Sequence, residues 1–271
     1  MMRITVACAA AAAVLVLAPA GARAEPWWKR LYFRGGVARV TPLEQSRELE
    51  LADIDGPASL AVSNGPIVGS GATISSATIP AVNLGYRLKL LNNRLSLETI
   101  LGLPFKVKFR ATGTLANESI APMALGIPTG VPAIGAELGE ASAAPGVLTA
   151  VYQLLDHGAV RPYVGAGPAL LVATGAKITN PLLTEVGKPE FSIPPAPGFV
   201  LQSGVEARLW KNVWARLDVK FIAGMLARAS VKHMQVRTPA LPLFESVEVG
   251  TAKMNAWVNP LIVQGGVGLD F

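Results

Sequence analysis

Histidine, cysteine and clustered carboxylates carry most side-chain chemistry, and this 271-residue chain has two histidines and one cysteine. His233 follows Ser230 by three positions, the minimum for a nucleophile and its base in acyl transfer. No acidic partner is evident to orient that ring, and His157 lies in a separate short connection. Cys8 falls in an apolar leader, so no cysteine remains for thiol chemistry or for a zinc cluster. The Gly165-x-Gly167 pair sits inside an extended pattern and opens no helix, so it makes no phosphate loop. The expectation is a non-enzyme without cofactor or metal.

The charges are more informative. Arg94 and Glu98, Glu206 and Arg208, and Arg216 and Asp218 stand at even spacings, each flanked by apolar residues, and Arg87 lies on a weaker segment of the same kind. Such spacing puts charges of both signs on one flank of an extended strand. In an enclosed, water-poor space they would pair.

The elements that must position them are strands. From Arg94 to Arg110 the odd positions (Leu95, Leu97, Thr99, Leu101, Leu103, Phe105, Val107, Phe109) are apolar in seven cases of eight, and the even ones polar in six of nine. A helix would mix these classes on one face, whereas a strand separates them. Seventeen residues at about 3.3 Å each reach roughly 55 Å, enough to cross a membrane's apolar band even when tilted. The same alternation recurs at 199–209, 213–221 and 258–271, and more weakly at 30–40, 76–89, 145–155 and 160–174. That makes eight strands. Short connections at 90–93, 156–159 and 210–212 alternate with long ones at about 41–75, 111–144, 175–197 and 229–254. Residues 119–136 are free of charge, but Pro122, Pro128 and Pro132 exclude a membrane helix there.

Residues 1–24 read as a cleaved export signal: Arg3, an apolar run from Ile4 to Ala18, and Ala22-Arg23-Ala24 as the cleavage site. The remaining 247 residues carry 22 basic against 18 acidic side chains, a balance too mild for nucleic acid. With 15% charged residues and a mean hydropathy of +0.42, the chain is under-charged for a water-soluble barrel of the same strand count. The fold expected is all-β: an eight-stranded antiparallel transmembrane barrel with short periplasmic turns and long extracellular loops. Phe271 ends the last strand facing outward, as a C-terminal aromatic for barrel assembly.

The segments LYFRGGVARVTP (31–42), LETILGLPFKVKFRATG (97–113), APGVLTAVYQLLD (144–156), RPYVGAGPALL (161–171) and WVNPLIVQGGVGLDF (257–271) resemble the OmpW family of bacterial outer-membrane proteins. The likeness covers most of residues 25–271; the 111–144 loop looks longer than usual for the family, and GLDF replaces an aromatic-basic-Phe ending. The resemblance implies a bacterial outer-membrane location and passage of small hydrophobic molecules, with release sideways into the bilayer. The alternative is a structural or adhesion barrel that transports nothing. Implied partners are outer-membrane lipid and lipopolysaccharide, small hydrophobic solutes and the barrel-assembly machinery, and not nucleic acid.

Within that picture Arg87, Arg94, Glu98, Glu206, Arg208, Arg216 and Asp218 point inward near the periplasmic end, either as an ion-pair plug or as ordinary satisfied interior charges. Ile100, Leu171, Val200, Ile222, Val258 and Ile262 face the lumen higher up, as channel lining or as packing. Pro80, Pro104, Pro162, Pro168 and Pro260 lack a ladder donor and either mark gaps between strands or are tolerated near the rim. The loops 119–136, 178–197 and 236–249 either collect hydrophobic ligand or cover the mouth. Lys106, Lys108 and Arg110 either meet lipopolysaccharide phosphates or line the upper lumen.

Overall fold

A computed structural model describes residues 26–155, 157–240 and 245–271. The segment 1–24, expected to be an export signal, and Asp156 of the second short turn lie outside these residues. Eight strands form the barrel: β1 (Leu31–Thr41), β2 (Ala77–Arg87), β3 (Leu95–Gly102), β4 (Glu137–Gln153), β5 (Val160–Ile178), β6 (Ala196–Arg208), β7 (Val213–Ala223) and β8 (Leu261–Asp270). Each pairs antiparallel with its sequence neighbour, and β8 returns to β1, so the sheet closes on itself. Closure is what permits strands to lie in lipid, where an unpaired backbone group has no water to bond.

Alternation sorts the faces as expected for most of the barrel. On β7, Trp214, Arg216, Asp218, Lys220 and Ile222 are buried inside, while Leu217 stands outside. The outward belt includes Phe33, Val37, Leu101, Leu148, Val164, Phe199, Leu201 and Val267, all exposed. Trp27, Trp28 and Trp210 stand exposed at the end that holds the short turns, in the manner of an interfacial aromatic girdle. The first of those turns places Leu91, Asn92 and Asn93 at positive φ, a conformation asparagine tolerates better than most residues.

One expectation is corrected. The 17-residue alternation from Arg94 to Arg110 is two strands, not one. β3 stops at Gly102, and an upper arm of β3 restarts as Phe105–Gly113. Between the pairs Thr99↔Leu148 and Phe105↔Ala143, β3 spends five residues where β4 spends four. One extra residue exchanges the faces. Below the break Ser96 and Glu98 point inward; above it Val107 and Phe109 do, and Lys106, Lys108 and Arg110 face out. The apolar flank therefore touches hydrocarbon only as far as Leu103, which is 72% exposed.

The long connections build a second storey. Leu226–Lys232 and Thr251–Val258 pair with each other and join Glu190–Ser192, Glu50–Ala52 and Gly65–Pro66 in one sheet, with Glu44–Ser46 also on Thr251–Val258. Ser70–Ile74 pairs with the upper arm of β3. The apolar loops largely bury one another: Leu51, Ile54, Ala58, Val62, Ala121, Val131, Leu183, Met234, Val236 and Val249 make a core of their own. Leu125 and Ile127, on a two-stranded tip within 119–136, stay exposed.

Candidate functional site

The lower lumen is filled by charge. The Arg216 guanidinium donates to Glu98 Oε2 at 2.7 Å and Oε1 at 2.8 Å, to Asp218 Oδ2 at 2.8 Å, and lies 3.4 Å from Glu206 Oε1. Arg34 donates to both oxygens of Glu206 (2.8 and 3.1 Å) and to Asp270 at 2.7 Å; Arg87 reaches the other oxygen of Asp270 at 2.7 Å. Lys220 donates to Asp218 and lies 3.8 Å from Glu98. Four cations thus face four carboxylates, and the cluster is neutral. Charges this deep are tolerable only when so matched, because removing either sign leaves an uncompensated ion.

Neutral donors extend the cluster across the lumen. Gln202 Nε2 donates to Glu98 at 3.0 Å and to Asp218 at 2.7 Å, Tyr32 Oη donates to Glu98 at 3.0 Å, and Tyr163 Oη donates to Asp218 at 2.5 Å. Each tyrosine lies flat over a glycine of the next strand. A Cβ on Gly85 would fall 2.0 Å from Tyr32 Cζ, and one on Gly204 would fall 2.2 Å from Tyr163 Oη. The glycines are there to let the rings lie down.

Directly above Lys220 the chemistry changes. Ala38, Val40, Ile79, Val147, Val200, Ile222, Met225 and Ile262 form an apolar layer, with Val200 and Ile222 wholly buried. Over it opens a cavity of ≈ 80 Å³, lined almost wholly by carbon from the barrel and the second storey, including Phe105, Phe109, Leu171, Met225, Met254 and Ile262. That is several times the space one water needs, in walls that offer water few partners.

The hydrogen-bond ladder in the wall beside this cavity is interrupted. β2 and β3 pair from Arg87↔Ser96 up to Ala81↔Gly102, and no further. Ala77 to Pro80 keep their partners on β1 but have none on β3. The ladder resumes only where the Ser75 N–H donates to the Lys108 carbonyl at 3.0 Å. Two prolines frame the gap, Pro80 and Pro104, neither able to donate to a ladder. Phe105, Val107, Ile74 and Ser75, next to the gap, also line the cavity.

A model of the OmpW family matches residues 30–271. The chain belongs to the OmpW family. It is an outer-membrane β-barrel, similar in structure to OprG of Pseudomonas aeruginosa (TM-score 0.66, 18% identity, 89% of this chain and 95% of that one covered). Weaker likenesses are to AlkL solved in lipid bilayers (TM-score 0.47, 15% identity, 94% and 96% covered) and to outer membrane protein W of Escherichia coli (0.44, 17%, 89% and 97%). No curated protein sequence matches the chain significantly. The OprG likeness bears on the fold and nothing finer.

In this OmpW-family barrel Arg87, Glu98, Glu206, Arg216 and Asp218 join the charged cluster. Arg94 and Arg208 do not. Arg94 reaches the Leu154 carbonyl at 3.5 Å near the turn, and Arg208 stacks on Trp214 at 4.9 Å, with Arg161 at 4.1 Å over the same indole. Leu171, Ile222, Val258 and Ile262 line the cavity, whereas Val200 and Ile100 pack in the apolar layer. Arg34, Lys220 and Asp270 were missed as members of the cluster. Lys220 shares parity with Arg216 and Asp218 on β7, and Asp270 shares parity with Gln264 on β8. Arg34 is screened in the sequence by Gly35 and Gly36, which carry no side chain to mark the period.

His233 has an acidic neighbour after all, Glu248 Oε1 at 3.2 Å from Nδ1, but the pair is exposed on an outer loop.

Proposed function

We propose that this barrel carries small hydrophobic molecules inward from the cell surface and releases them sideways into the outer leaflet through the gap between β2 and β3. The observation that carries this reading is the stacking order: an apolar cavity, closed beneath by an apolar layer and a neutral charged cluster, with an interrupted strand ladder at its side. A solute in the cavity meets no aqueous path downward. Ions find no favourable step across the apolar layer, whereas a hydrocarbon gains contact there. Sideways, Leu101 and Leu103 lead to lipid.

The test is uptake in cells lacking the native protein, comparing an alkane-like solute with a polar one of similar size. Complementation is expected to raise entry of the first and not of the second. Equal permeability to both, with and without the protein, overturns transport and leaves a structural or adhesion barrel.

A further inference from the structure

The exchange of faces at Leu103–Pro104 does more than turn Phe105, Val107 and Phe109 inward. It turns Lys106, Lys108 and Arg110 outward, on one flank of one strand, immediately above the exposed Leu101 and Leu103. The three charges span about 13 Å along the strand. Lys177, on β5 across β4, adds a fourth cation to the same outer surface. The Lys106 and Lys177 side chains are 77% and 63% exposed. Two carboxylates accompany them. Glu140 lies 3.0 Å from Lys177 Nζ and 3.9 Å from Lys106 Nζ, and Glu137, paired in register with Arg110, accepts from Thr179. The patch keeps a net positive charge.

We propose that Lys106, Lys108 and Arg110 form a docking surface for lipid A, the phosphorylated disaccharide lipid of the outer leaflet. The partner must present anionic groups at the height where the barrel's outer face changes from leucine to lysine, with acyl chains directly below. That is the geometry of a phosphorylated lipid at its own interface, not of a soluble anion. A disaccharide with a phosphate at each end can straddle Lys106 and Arg110, while its chains lie against Leu101 and Leu103. The bound lipid would sit at the edge of the β2–β3 gap. This assignment stands whether or not the gap conducts a solute.

The test uses the full-length mature chain refolded in neutral detergent. Retention of diphosphoryl lipid A is measured by native mass spectrometry, beside phosphatidylglycerol. At about 1 kcal/mol per basic residue near an anionic surface, Lys106→Gln/Lys108→Gln/Arg110→Gln is expected to weaken lipid A binding on the order of 100-fold. Lys29→Gln/Lys89→Gln/Lys211→Gln, which removes the same charge from the opposite rim, is expected to leave it unchanged. Both variants alter exposed side chains and keep the barrel fold by heat-modified electrophoretic mobility. Undiminished lipid A binding by the first variant, an equal loss in the second, or equal retention of phosphatidylglycerol by the wild type would each overturn the proposal.

Discussion

Arg216→Met is the sharpest probe of the charged cluster. The guanidinium makes three contacts of 2.7–2.8 Å with Glu98 and Asp218, one of 3.4 Å with Glu206, and stacks 4.6 Å from the Tyr163 ring. Methionine keeps much of the volume and none of the charge. Three cations would then face four carboxylates, three of them buried, and removing one partner of a buried pair costs about 3–5 kcal/mol. Adding Glu98→Gln removes one carboxylate and restores neutrality, while glutamine can still accept from Tyr32. The double variant is expected to recover at least about half of the single-variant loss, on the order of 2 kcal/mol. Reversible urea unfolding in lipid vesicles, followed by tryptophan fluorescence, measures both. A single-variant loss under about 1 kcal/mol, or a double variant as unstable as the two losses summed, would refute the view that matched charge holds the lower lumen together.

Gly85→Ala is expected to destabilise the barrel by about 1–3 kcal/mol, because the new methyl meets the Tyr32 ring; in a Tyr32→Leu background most of that penalty should vanish in the same unfolding assay. Ala173→Phe fills the cavity from its wall and should cut uptake of an alkane-like solute several-fold while leaving the unfolding midpoint nearly unchanged. Ile222→Asp is a poorer probe of the lumen, since Ile222 is wholly buried in the apolar layer and a carboxylate there should prevent folding. Outside the membrane span, the Lys177 ammonium beside Glu140 holds its carboxyl below the ordinary glutamate range, aided by Lys106. An NMR titration should show that midpoint rising in Lys177→Gln.

The closed antiparallel barrel, its eight strands and the alternation of short and long connections were legible from the period alone, because inward and outward residues differ so sharply along β6, β7 and β8. The site was half legible. Glu98, Glu206, Arg216 and Asp218 could be placed because their parity is opposite to that of the apolar residues beside them. The face exchange in β3 could not. The alternation runs unbroken through Leu103 and Pro104, and the extra residue is visible only against β4, which takes four residues where β3 takes five. Consequently the inward aromatic wall of the cavity, Phe105, Val107 and Phe109, read as lipid-facing. The loop core escaped for a different reason: Leu51, Val131, Leu183 and Val249 are far apart in the chain, and no local pattern tells a buried loop residue from an exposed one.

The sideways route can be tested with one covalent link. Thr78→Cys and Leu103→Cys place thiols on the two sides of the β2–β3 gap, in a chain whose only native cysteine is Cys8. A bifunctional thiol reagent bridging them should abolish uptake of the alkane-like solute, and a reducible version should restore it on reduction. Full uptake through the bridged barrel would contradict lateral release at this gap.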